Sequence, residues 1–166
     1  LFSWLRERPS QISATGSAFV QKGIPDVAFI SASFPSGVIA HLEVSWLAPS
    51  KLRRTALVGS KKMLVYDDTE SIEKVKIFDR GVNFKDPESF GEFQLSYRTG
   101  DILIPKLEQT EPLALETLEF IESIDENRQP LTDGVSGLRV VEALQAAQTS
   151  LEQGGTPVTL AQGAGA

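Results

Sequence analysis

DVAFISASFPSGVIAHLEVSWLAPSKLRRTALVGSKKMLVYD, residues 26–67, sets the architecture of this chain. It reads as four strands, 27–34, 37–47, 52–59 and 62–67, separated by Pro35-Ser36-Gly37, Ala48-Pro49-Ser50 and Gly59-Ser60-Lys61. Pro fixes φ and Gly accepts positive φ, so these triplets read as tight breaks. Links this short predict antiparallel neighbours, because parallel strands need a long crossover. In the longest strand Val38, Ala40, Leu42, Val44 and Trp46 alternate with His41, Glu43 and Ser45. One face of the sheet is therefore apolar and the other mixed.

Working outward, residues 1–6 read as the end of a helix stopped before Pro9. Residues 11–20 follow as a further strand, turned into the meander by Lys22-Gly23-Ile24-Pro25. Beyond Asp67, residues 72–78 alternate as an edge strand whose lysines discourage edge pairing, with a turn at Asp79-Arg80-Gly81. Residues 82–107 form a long excursion with short strands at 92–97 and 102–104. Excursions of that length are usually functional or in contact with a partner.

Glu111-Pro112 opens a helix, with Pro where its missing N–H is harmless. Leu113, Leu115, Leu118, Ile121 and Ile124 recur along it. Asp133 is the N-cap of a second helix, with Leu138, Val141, Leu144, Ala147 and Leu151 as its apolar stripe. Gly154-Gly155 ends it, and Val158 and Leu160 suit a last short strand. Residues 161–166 read as a flexible low-complexity tail. The expectation is an α+β domain: a mostly antiparallel open sheet, both helices packed on one face, the other face available for oligomerisation.

Composition narrows the function. The 166 residues suffice for one core, and 16 basic against 22 acidic residues give a net charge of −6, which disfavours a nucleic-acid footprint. No apolar run approaches the roughly 20 residues of a membrane helix. Cysteine is absent, which removes thiolate metal sites and suits a reducing, cytoplasmic setting. Apolar Leu1, Phe2, Trp4 and Leu5 lack a cap ahead of them, as expected for a piece of a longer protein.

The chemistry-bearing motifs are few. No G-x-G-x-x-G or G-x-x-x-x-G-K-[ST] occurs, and Gly59-Ser60-Lys61 lies between two strands rather than a strand and a helix. His41 is the only histidine and sits in mid-strand, so neither a Ser-His-Asp site nor a histidine metal site has support. Asp67-Asp68 is either a hard-cation site or a solvated turn. Lys51, Arg53 and Arg54, following Trp46, leave two readings open: phosphate or carboxylate recognition, or a solvated loop that offsets local acids.

Two blocks carry a resemblance. The first runs through Ser45-Trp46-Leu47-Ala48-Pro49, Lys51-Leu52-Arg53-Arg54, Val58-Gly59-Ser60-Lys61-Lys62-Met63 and Tyr66-Asp67-Asp68. The second comprises Glu111-Pro112-Leu113, Pro130-Leu131-Thr132-Asp133-Gly134, and 137–144 (GLRVVEAL) with Ser150. Together they resemble the carboxyl-terminal domain of the glucose-fructose oxidoreductase / inositol dehydrogenase (Gfo/Idh/MocA) family, nearest its nucleotide-sugar 3-dehydrogenases of the UDP-N-acetylglucosamine type.

The resemblance implies that residues 1–160 are the substrate and oligomerisation domain of a two-domain oxidoreductase. The amino-terminal Rossmann domain, with its NAD or NADP site, catalytic lysine and acid/base histidine, lies outside this sequence. No cofactor site and no catalytic residue is then expected here, and the fragment alone is expected to be inactive. By position in the family, Lys51 faces substrate with Arg54 behind it, and Lys106 is a further candidate. The implied partners are the missing domain, a sugar or nucleotide-sugar substrate and other copies of the chain through the open sheet face. The alternative is a non-enzymatic binding or assembly module that uses the same face.

Overall fold

The computed structural model describes residues 2–84, 95–108 and 110–161. Its elements are α1 (Phe2–Leu5), β1 (Gln11–Ser17), β2 (Val27–Ser33), β3 (Ile39–Ser45), β4 (Arg54–Val58), β5 (Met63–Asp67), β6 (Val75–Phe84), β7 (Leu95–Leu103), α2 (Pro112–Asp125), α3 (Gly134–Glu152) and β8 (Val158–Thr159). The α+β class holds, with two antiparallel sheets of order β3-β2-β1-β8 and β4-β5-β6-β7. The expected four-strand meander is thus two hairpins in different sheets. The reason is length: the strands stop at Ser45 and resume at Arg54, so the link around Pro49 is no tight turn. The chain correspondingly divides into two units, 1–48 with 112–166, and 49–111.

In the first unit, strict alternation places Ile12 and Ala14 of β1, Ile30 and Ala32 of β2, and Ala40 and Leu42 of β3 on one face. Helix α3 packs on β1 and β8 over this face. The core joins Ile12, Ala14, Ala32 and Phe34 to Ala146 and Ala147, with Phe2, Leu5, Ala143, Leu151 and Val158 around it. Burying Ile12 or Phe34 contributes about 2 kcal/mol each.

The helical stripe differs from the expected one. Ala143, Ala146, Ala147, Ser150 and Leu151 face the sheet, whereas Leu138, Val141 and Leu144 are exposed. Small residues let α3 approach β1 closely, so that side of the helix wins the contact. Helix α2 does not join the cover: Leu113, Leu115, Leu118, Ile121 and Ile124 are all exposed, and Ser123 is its one buried residue among those described.

The caps follow the sequence. Asp133 accepts the Ser136 N–H at 2.7 Å. After α3, Gly154 and Gly155 adopt φ of 67° and 96°, and the Gly155 N–H donates to the Ser150 carbonyl at 2.8 Å. Arg128 clamps the α2–α3 connection, reaching both carboxylate oxygens of Glu119 at 2.7 and 3.0 Å.

In the second unit, the expected edge strand is β6, an interior strand between β5 and β7. Asp79-Arg80-Gly81 is not a turn. The strand continues through it with a register shift between Phe78 and Arg80, a bulge in the pairing with β7. Gly81 serves close approach instead: a Cβ there would lie 2.8 Å from the Ser60 carbonyl oxygen. The short strand expected at 102–104 is the end of β7; the one at 92–97 lies partly outside the described residues.

Candidate functional site

The substrate candidates Lys51, Arg54 and Lys106 all fall in the second unit, 49–111. Arg54 is the first residue of β4 and pairs in register with Asp67 at the end of β5. Lys51 lies just ahead of β4, and Lys106 just beyond β7. Because the sheet is antiparallel throughout, the start of β4 and the end of β7 are at the same end of it. Three strand spacings separate them, about 14 Å. All three side chains are exposed. Lys51 and Lys106 have no ion pair among the described residues.

The neighbouring Arg53 is engaged by Asp68, the residue after β5. Arg53 Nη1 is 3.5 Å from Asp68 Oδ2, and Lys74 Nζ is 4.0 Å from Asp68 Oδ1. The Tyr66 hydroxyl donates to Asp68 Oδ1 at 2.9 Å. That bond, with Arg53 behind it, holds the Asp68 carboxyl below the usual carboxylate range and pushes the Tyr66 hydroxyl up. Asp67 Oδ1 accepts the Thr69 hydroxyl at 2.6 Å and the Thr69 N–H at 3.0 Å. These bonds, then the charges of Arg54 and Lys76, hold Asp67 low as well.

Asp67-Asp68 is therefore a hydrogen-bonded strand end and turn at which Asp68 meets Arg53. Among the described residues no group of three His, Asp or Glu is placed to hold a metal ion. Sequence reasoning paired Arg54 with Lys51, whereas the structure ties it to Asp67 through the β4–β5 register. That tie could be found only by knowing the register. Among the described residues Lys51 and Lys106 make no ion pair and are open to an anion.

Two features that could suggest a phosphate cradle do not form one. Gly59-Ser60-Lys61 closes a hairpin in which Gly59 N–H donates to the Lys62 carbonyl at 3.0 Å. The N-terminus of α3, the usual kind of phosphate cradle, is already filled by the Asp133 carboxylate.

The mixed face of the first sheet is the second candidate. Its register aligns Ser13, Ser31 and His41 across three strands, and Thr15, Phe29 and Glu43 beside them. The His41 ring stacks on Phe29 with centroids 6.4 Å apart and planes 13° apart. Ser31 Oγ is 3.3 Å from His41 Nδ1. Phe29, His41 and Glu43 are exposed. His41 thus lies on an open face between Phe29 and Ser31, in the position of a cross-strand packing group.

The fold is shared with part of several solved oxidoreductases and dehydrogenases. The family model described as the GFO/IDH/MocA C-terminal domain matches residues 1–65, from α1 into β5. UDP-N-acetylglucosamine 3-dehydrogenase GnnA from Acidithiobacillus ferrooxidans is similar over 89% of this chain at 22% identity, with a TM-score of 0.68. Aldose-aldose oxidoreductase from Caulobacter crescentus, complexed with glycerol, is similar over 96% at 17% identity and a TM-score of 0.68. The WlbA dehydrogenase from Bordetella pertussis, in complex with NADH and UDP-GlcNAcA, is similar over 97% at 15% identity and a TM-score of 0.62.

The chain spans 42%, 43% and 41% of these proteins, so each has a further region of more than its own length. No curated protein matches the sequence. Among the described residues no helix is long and apolar enough to cross a membrane.

Proposed function

We propose that this chain is the substrate and assembly domain of a cytoplasmic, NAD(P)-dependent dehydrogenase that oxidises a CH–OH group of a sugar or nucleotide sugar. The observation that carries the reading is the likeness of nearly the whole chain to less than half of GnnA. The cofactor and the proton-transfer groups belong to the preceding Rossmann domain of the parent protein. Lys51 and Lys106, without an ion pair among the described residues and at one end of the second sheet, suit the separated negative charges of an extended sugar nucleotide. Arg54 stands behind Lys51 as a charge shared with Asp67. The open face around Phe29 and His41 supplies a contact between copies.

The parent protein, assayed with UDP-N-acetylglucosamine and NAD+ or NADP+, tests this reading. Reduction of the nicotinamide is expected, with KM raised by Lys51→Ala and kcat little changed. A reading frame encoding no dinucleotide-binding domain ahead of Leu1 overturns it and favours the assembly module. NAD(H) added to the present chain alone is expected to leave its melting temperature unchanged. A rise of several degrees would place a cofactor site here and contradict the proposal.

A further inference from the structure

The strand β3 pairs with β2 along one edge, and among the described residues no strand lies along its other edge. Such an edge presents a row of backbone N–H and C=O groups ready to pair with another strand. Exposed edges are normally blunted by lysine, proline or a bulge. Residues 39–45 (IAHLEVS) contain neither residue, and their register with β2 is unbroken. The outer strand of the second sheet differs, since β4 opens on Arg54 directly after Arg53. The far edge of the first sheet is the two-residue β8.

The β3 edge is also complementary to itself. A two-fold axis at Leu42, the midpoint of the strand, gives full antiparallel overlap. His41 then lies opposite Glu43 of the second copy, and Glu43 opposite His41 of the second copy. Leu42 meets Leu42 and Ala40 meets Val44 on the face that α3 covers. Moving the axis to Glu43 sets that carboxylate against itself. Moving it by half a residue turns the apolar face of one copy to the open side of the other. With Ser31 Oγ on His41 Nδ1, the ring keeps Nε2 for a carboxylate.

We propose that β3 pairs with β3 of a second copy, antiparallel and centred on Leu42, joining the two four-stranded sheets edge to edge. This edge contact is distinct from packing of the open faces and does not depend on the dehydrogenase reading.

The chain has no cysteine, so site-specific cross-linking is clean. His41→Cys and Glu43→Cys both replace exposed residues. Oxidised together, the two variants are expected to form a cross-linked heterodimer, while each alone remains uncross-linked. Equal cross-linking of either variant alone, or none in the mixture, overturns the proposal. In sedimentation, Glu43→Lys is expected to weaken the dimer at least tenfold, and His41→Glu combined with Glu43→Lys to restore it. A strict monomer overturns the proposal, as does a dimer indifferent to both exchanges; the latter result would point to packing of the open faces.

Discussion

The Ser150 hydroxyl of α3 accepts the backbone N–H of Ala14 in β1 at 2.8 Å, and Ser150 is 0% exposed. Strand β8 pairs with β1 only at Gln11 and Ile12, so the ladder ends two residues before Ala14. Ser150 supplies the acceptor that a longer β8 would have given. Ser150→Ala leaves a buried N–H unpaired and is expected to cost about 1–3 kcal/mol. Urea unfolding followed by circular dichroism measures it, with a lower midpoint and an unchanged slope. An unchanged midpoint would mean that water reaches Ala14.

Glu119 and Arg128 give acid sensitivity. The Arg128 guanidinium, with the Leu131 N–H, lowers the Glu119 carboxyl from 4.5 to about 2. A depressed carboxyl adds stability above its unfolded pKa and loses it as pH falls through the folded one. The contribution is therefore full above about pH 4.5 and is lost progressively down to about pH 2. Glu119→Gln is expected to lower stability at pH 7 and to flatten the pH profile across that window. Denaturation midpoints collected from pH 7 to pH 2 for both proteins test this.

Gly81 and Gly137 are expected to respond in opposite directions to alanine. A Cβ on Gly81 meets the Ser60 and Lys61 carbonyl oxygens at 2.8 and 3.0 Å, both fixed backbone atoms. Gly81→Ala is therefore expected to destabilise by about 1–3 kcal/mol. A Cβ on Gly137 meets nothing within 4 Å, and Gly137 lies inside α3. Gly137→Ala is expected to stabilise by about 0.5–1 kcal/mol, through reduced freedom of the unfolded chain. Thermal melts of the two variants suffice.

Asp133 caps α3 through the Ser136 N–H, which also holds its carboxyl below the usual range. Asp133→Ala is expected to lower the melting temperature by about 2–4 °C. Asp133→Asn retains the acceptor and is expected to recover most of that loss. Equal melts for the two substitutions would show that the side-chain oxygen is not what matters.

Much of the fold was legible because its signals are local. Pro112 at a helix start, Asp133 at an N-cap and Gly154-Gly155 at a helix end each act through their own backbone. The alternation of β3 likewise announced which residues share a face. Other features were not legible because they depend on contacts between distant segments. Which face of α3 meets β1 is decided by how closely two backbones can approach, and that choice went to the alanines over the leucines. Gly81 resembled a turn residue because a glycine needed for close approach is indistinguishable in sequence from one needed for positive φ.

For the candidate site, residue types alone identified a basic cluster, and charge alone suggested an anionic ligand. Only pairing between strands showed that Arg54 lies opposite Asp67 and that Arg53 meets Asp68. The sequence by itself determined the helices, the strands up to β5, the caps of α3 and the two-faced character of the first sheet, since these follow from torsional preference and periodicity. Tertiary structure alone decided that β3 and β4 part into separate sheets, that Ser150 completes β1, and that Arg53 meets Asp68. Those outcomes depend on which distant groups satisfy one another's hydrogen bonds and charges, and local propensity carries no record of that.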